Sequence, residues 1–175
     1  YGVTRAYVLG LTVVLADGSI LTCGGRTHKN KQGFDLVGLF CGSEGMLGII
    51  TQATLRIIPA PPARAALHAS FPRFALAAQA VQNVLQGGHL PCALEITDSF
   101  TGVLPESAQG HIIIEIDGRQ DAVTAELEAI ADILRATGAV DIVPARTEEE
   151  VEAIWQLRRG FSYSLKATGV TKLNE

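Results

Sequence analysis

The sequence has few basic residues and no cluster of them. Across 175 residues, 14 Lys and Arg stand against 18 Asp and Glu, a net charge of −4. Without a Lys/Arg-rich block the chain lacks the electrostatic footprint of a nucleic-acid binder. No apolar run approaches the roughly 18 residues of a membrane span. The N-terminus lacks the basic start and apolar stretch of a secretory signal. Cysteine is scarce: Cys23, Cys41 and Cys92 are odd in number, widely spaced and form no Cys-x-x-Cys pair. That argues against a disulfide scaffold and a zinc ribbon, and for a reducing, cytoplasmic compartment. His28, His68, His89 and His111 are scattered without metal-ligand spacing and read as surface or edge residues, so no metal site is expected.

What is present is apolar material enough for a core, with 47% hydrophobic residues against 18% charged. The chain opens on Tyr1 inside a strand-like pattern and ends on Asn174-Glu175 as a new segment starts, so it reads as part of a longer protein. Tyr7 to Leu15 is rich in Val, Leu and Thr, as strands are. Asp17-Gly18 marks a turn, and Ser19 to Cys23 completes a hairpin. Gly24 to Gly33 reads as a polar loop, Asp35 as the cap of a short helix, and Ile49 to Ile58 as a third strand. Pro59-Ala60-Pro61-Pro62 then interrupts every pattern and sets the domain boundary, with residues 1–60 before it and 61–175 after it.

Beyond that boundary the order is strand (Ala65 to Phe71), helix (Arg73 to Gln86), strand (Cys92 to Ile96), strand (His111 to Ile116), helix, strand (Val140 to Val143). Asp121 is expected to cap the second of these helices. This is the β-α-β-β-α-β split motif of ferredoxin-like folds, an α+β arrangement with an antiparallel sheet. Two helices on one face would leave the other sheet face free for a partner or ligand. Glu115 and Asp117 alternate with Ile114 and Ile116 and are expected on an exposed face. A further helix starts at Thr147, where Thr147 and Glu150 form a capping box and Glu148 and Glu149 suit the positive end of the helix dipole.

Two places suggest chemistry. The first is Gly42-Ser43-Glu44-Gly45-Met46-Leu47-Gly48-Ile49-Ile50-Thr51, with three glycines in seven residues. Such a loop lets the backbone approach a flat or charged ligand closely, although a plain turn uses glycine in the same way. The second is Arg158, on the apolar stripe of its helix four positions after Ile154 and three after Trp155. A charge there either snorkels to water or clamps a carboxylate with its two-pronged fork.

These residues carry a resemblance. Tyr1-Gly2-Val3-Thr4-Arg5, Val8 to Gly18, Gly33-Phe34-Asp35-Leu36, Gly38-Leu39-Phe40 and the loop from Gly42 resemble the FAD-linked oxidases of the vanillyl-alcohol oxidase type. The nearest branch holds the glycolate oxidase FAD subunit and the D-lactate and D-2-hydroxyglutarate dehydrogenases. Leu94-Glu95-Ile96-Thr97-Asp98, Ile114-Glu115-Ile116-Asp117-Gly118 and Trp155-x-Leu157-Arg158 match its cap domain more loosely. Met46 stands where that family usually has Thr.

The resemblance implies the C-terminal part of a PCMH-type FAD-binding domain over residues 1–60 and a truncated, ferredoxin-like cap domain over 61–175. It implies FAD lying along Glu44, Gly45, Met46, Leu47, Gly48, Ile49 and Ile50. It implies a substrate carboxylate held by Arg158, Ser162 and Lys172. The activity implied is flavin-dependent oxidation of a small 2-hydroxy acid to the 2-keto acid, with an iron–sulfur or other electron-transfer subunit as partner. The chain alone is expected to be inactive, because the pyrophosphate loop and the metal-binding residues of that branch would lie outside it. The rival readings are a non-catalytic FAD-binding electron-transfer subunit and an oxidase of the same superfamily acting on an uncharged substrate.

Overall fold

The computed structural model describes residues 1–27, 29–30, 32–98 and 108–167, with side chains described as far as 160. It divides into two compact units, Tyr1–Ala60 and Pro61–Glu175.

In the first unit a short 3-10 turn leads into β1 (Val8–Val14) and β2 (Ile20–Gly24). The hairpin turns where Asp17 Oδ1 accepts the Ser19 amide at 2.9 Å. Helix α1 (Leu36–Phe40) follows, and the Asp35 carboxylate accepts the Gly38 amide at 2.8 Å, the capping role expected of it. Strand β3 (Ile49–Leu55) pairs with the other edge of β1, giving an antiparallel sheet in the order β2-β1-β3. Leu11, Val13, Cys23 and Phe40 form its small core.

The second unit runs β4 (Ala63–Phe71), α2 (Phe74–Gln86), β5 (Ala93–Asp98), β6 (Gly110–Gly118), α3 (Gln120–Ala136), β7 (Asp141–Ala145) and α4 (Glu148–Ala167). Its sheet has the order β5-β6-β4-β7 with every pairing antiparallel, which is the split β-α-β motif. Asp121 is not the cap of α3. Arg119 holds that position without a side-chain hydrogen bond, and Asp121 sits inside the first turn, where the helix dipole still favours it.

Strand alternation sends Ala65, Leu67, Ala69 and Phe71 of β4, with Ile112, Ile114 and Ile116 of β6, onto α2 and α3. The opposite face is not free, contrary to the sequence expectation. Ala66, Ile113 and Ala145 meet Val151 and Ile154 of α4, so helices lie against both faces. Small or branched apolar residues on the second face give α4 a surface to bury, at roughly 25 cal/mol per Å² of apolar area.

Candidate functional site

Helix α4 brings charged groups to this second face. Its start is fixed by the capping box: the Glu150 carboxylate accepts the Arg146 amide at 2.7 Å and the Thr147 amide at 3.0 Å, while Thr147 Oγ1 accepts the Glu150 amide at 3.3 Å. Those amides hold the Glu150 carboxyl below its ordinary range. One turn further, the Trp155 indole N–H donates to the Glu115 carboxylate. Arg64 stands 3.6 Å from the same carboxylate and donates from Nε to Glu148 at 2.8 Å. Glu115 was expected on an exposed face, yet its side chain is only 12% exposed. Burying a carboxylate is costly unless it is paired, and Arg64 and Trp155 supply the partners. The network ties the first turns of α4 to the sheet.

Arg158 follows on the same helix and is half-exposed, as is its partner Glu95 on β5. Its Nη2 lies 3.5 Å from both Glu95 carboxylate oxygens. Charge-assisted hydrogen bonds are normally near 2.7–2.9 Å, so this contact is loose and uses one nitrogen. Among the described residues Arg158 is therefore neither buried without a partner nor locked in a two-pronged ion pair. Ser162 lies on α4, but its side chain is outside the described residues, and Lys172 is outside them entirely. No spacing in the sequence couples residues 95 and 158; the sheet edge and the docked helix bring them together.

Two histidines depart from the surface reading. His68 and His111 are 7% and 0% exposed, and their rings stack with centroids 5.3 Å apart. His111 Nδ1 lies 3.2 Å from both His68 Nε2 and Ser70 Oγ. Both sit on the face of the sheet that meets α4, since His68 follows Ala66 by two residues and His111 precedes Ile113 by two. Burial, then the neighbouring His111, pushes the His68 imidazole down to about 4. Burial also pushes His111 down. Both rings are neutral at pH 7. His89 is partly buried, with Nδ1 2.7 Å from Glu126, and His28 is outside the described residues. Among the described residues no three His, Cys, Asp or Glu side chains converge on a metal-sized site.

Cys92 is held neutral. Burial, then Asp117 and Glu115, pushes its thiol up to about 12. A thiol this hard to ionise is a poor nucleophile.

In the first unit, the loop after α1 lines a cavity of about 260 Å³ with Phe40, Gly42, Ser43, Glu44, Gly45, Gly48, Ile49 and Ile50. Gly45 has a φ of +82°, and a Cβ built there would meet nothing within 4 Å. Gly48 differs, since a Cβ there would press on Val13 Cγ1 at 2.7 Å and the Val14 carbonyl at 2.8 Å. Gly48 thus serves the packing of the loop on β1, while Gly45 faces open space. The Met46 amide is spent on the Ser43 carbonyl at 2.9 Å, so it is committed to the turn. Met46, Leu47, Ile49 and Ile50 are all exposed apolar residues, with Met46 86% exposed.

Residues 60–175 match the family of FAD linked oxidases, C-terminal domain. The chain belongs to the FAD-linked oxidases. It is 40% identical over 168 residues to the glycolate oxidase subunit GlcD of Bacillus subtilis (strain 168), covering 91% of this chain and 36% of that protein. It is 34% identical over 163 residues to a D-lactate dehydrogenase of Archaeoglobus fulgidus, covering 90% of this chain and 37% of that one. The chain thus spans about a third of the length of these curated relatives. In structure it is similar to alkyldihydroxyacetonephosphate synthase, with a TM-score of 0.67 at 20% identity over 93% of this chain and 33% of that one. It is also similar to p-cresol methylhydroxylase, with a TM-score of 0.65 at 18% identity over 89% and 37%. At such identity these two speak for the fold alone.

A flavin edge would find a surface of matching character at the loop of this FAD-linked oxidase. Open backbone at Gly45 and a strip of exposed apolar side chains suit a flat, largely apolar ring. In the full-length protein, Gly45→Val is expected to lower the flavin-to-protein ratio, with only the roughly 1–2 kcal/mol strain of a left-handed backbone charged to stability. Gly48→Val should lose flavin and fold stability together, because it collides with β1. Flavin absorbance and urea melts separate the two cases. Full flavin in Gly45→Val would make the loop a turn and nothing more.

Proposed function

We propose that the protein oxidises a small 2-hydroxy acid to the 2-keto acid with FAD. In this reading residues 1–60 are the second half of the FAD-binding domain and residues 61–175 belong to the substrate-side cap domain. The flavin, when bound, takes up the two electrons of the oxidation. Glu44, Gly45, Met46, Leu47, Gly48, Ile49 and Ile50 line it, with the apolar side chains excluding water from its ring. Arg158 holds the substrate carboxylate, with Ser162 and Lys172 contributing to the same group. An electron-transfer subunit, of which an iron–sulfur protein is one form, would receive the electrons. A cytoplasmic setting belongs to the same proposal, supported by three free cysteines.

The observation that carries this reading is the half-exposed, loosely held guanidinium of Arg158, which stands in a chain related to glycolate and D-lactate oxidising enzymes. An oxidase of uncharged substrates needs no such group. The test is anaerobic mixing of the full-length flavoprotein with glycolate, D-lactate, D-2-hydroxyglutarate and matching neutral alcohols. The visible flavin band is expected to bleach with at least one acid and with none of the alcohols. Bleaching by alcohols alone would assign the protein to the uncharged-substrate branch.

A further inference from the structure

Two carboxylates share the sheet face that meets α4. Ala93 pairs with Glu115 across β5 and β6, so Glu95, two residues on, points to the same side as Glu115. They are held differently. Glu115 is nearly buried and tied by Arg64 and the Trp155 indole. Glu95 is 42% exposed, on an edge strand, and among the described residues its partner is Arg158. Among the described residues that contact uses one guanidinium nitrogen, 3.5 Å from each oxygen, and leaves the other edge of the fork to another acceptor.

We infer that Glu95 is a specificity-determining residue, a built-in carboxylate that occupies Arg158 when no substrate is bound and opposes anions arriving there. This rests on the proposed role of Arg158. An incoming carboxylate meets Glu95 in either of two ways. It displaces Glu95 and forfeits that ion pair, or it takes the free edge of the fork and sits close to a second negative charge. Both outcomes oppose binding, so the sign of the effect does not depend on which occurs. A substrate with a second carboxylate adds a further repulsion. Glu95 therefore favours monocarboxylic over dicarboxylic 2-hydroxy acids. The two side chains are half-exposed and the contact is loose, so the effect is tuning and not an all-or-none gate.

The test uses the full-length flavoenzyme with Glu95→Gln, which keeps the shape and an acceptor but removes the charge. For a monocarboxylic 2-hydroxy acid the KM is expected to fall about two- to fivefold, with most of the change in KM and not in kcat. For a dicarboxylic 2-hydroxy acid the fall should be larger. In an Arg158→Met background the substitution should do little, because Glu95 no longer has a clamp to occupy. If Glu95→Gln loses flavin or folds poorly, Glu95→Asp withdraws the same charge by one methylene and should shift KM in the same direction. A KM that is unchanged or raised in an active enzyme overturns the inference and leaves the proposed function standing. Equal falls for mono- and dicarboxylic substrates overturn the selectivity. A parent enzyme whose flavin is reduced by no 2-hydroxy acid removes the proposed function and this inference together.

Discussion

Arg158→Lys in the full-length enzyme is expected to lower kcat/KM for a 2-hydroxy acid about tenfold or more, chiefly through KM, with flavin still bound. The reason is geometric. Lysine keeps the positive charge and can still reach toward Glu95, but it has no planar fork to match a carboxylate. A hydrogen bond to a charged group is worth roughly 1.5–3 kcal/mol, and about 1.4 kcal/mol corresponds to tenfold. If the guanidinium merely lies over the sheet edge, Lys should serve nearly as well and the kinetics should hardly move. The loose contact with Glu95, near 3.5 Å, makes the substitution informative, because little native ion-pair energy is lost with it. Stability measured alongside should change little. A large drop in melting temperature, with equal kinetic losses on acid and neutral substrates, would show that Arg158 holds the helix and not the substrate.

Acid is expected to unfold this chain earlier than its carboxylates alone would require. His68 sits buried and neutral, held down at about 4, whereas in the unfolded chain it titrates near 6.5. Between these values the unfolded chain takes a proton that the folded chain refuses. Its contribution to stability is therefore intact above pH 6.5, falls as the pH drops toward 4, and levels off below that. A shift of that size corresponds to about 3 kcal/mol. His111, also pushed down by burial, acts in the same direction. Asp141 opposes the shift on His68 as the smallest of its named influences. The lone tryptophan, Trp155, bonds to Glu115 across the α4–sheet contact, so its fluorescence reports undocking of α4 directly. Urea melts followed by that signal should lose stability steeply between pH 6.5 and 4. In His68→Phe the same profile should flatten in this window and keep only the steeper fall at lower pH. An unchanged profile in the variant would clear the histidine and assign the acid sensitivity to carboxylates.

Much of the second unit was legible because its signals are local. Apolar spacing along α2 and α3 places Ala77, Val84, Val123, Leu127, Ile130 and Leu134 in one core, while Phe74 and Leu85, expected on the same face of α2, lie at its ends and stay exposed. The Thr147–Glu150 capping box forms as written. The second layer was harder to see. β4 and β6 carry apolar residues at successive positions, Ala65 to Leu67 and Ile112 to Ile114, instead of a strict alternation. That is the mark of a strand buried on both faces, and it called for a helix on each side. Asp121 misled because an acid near a helix start serves the dipole as readily as it serves a cap.

The succession of strands and helices along the chain, the helix periods, the loop glycines and the family were all written in the chain itself, because each depends on residues a few positions apart or on a contiguous motif. The burial of His68 against His111, the tie from Trp155 to Glu115 and the partner of Arg158 were not. Those pairs are separated by 43, 40 and 63 residues. They meet only after β5, β6 and β4 have paired in one register and α4 has docked across them. A one-residue slip would turn Glu95, Glu115 and His68 to the opposite face. Charge neighbours of this kind are set by register and docking, which no local pattern of residues encodes.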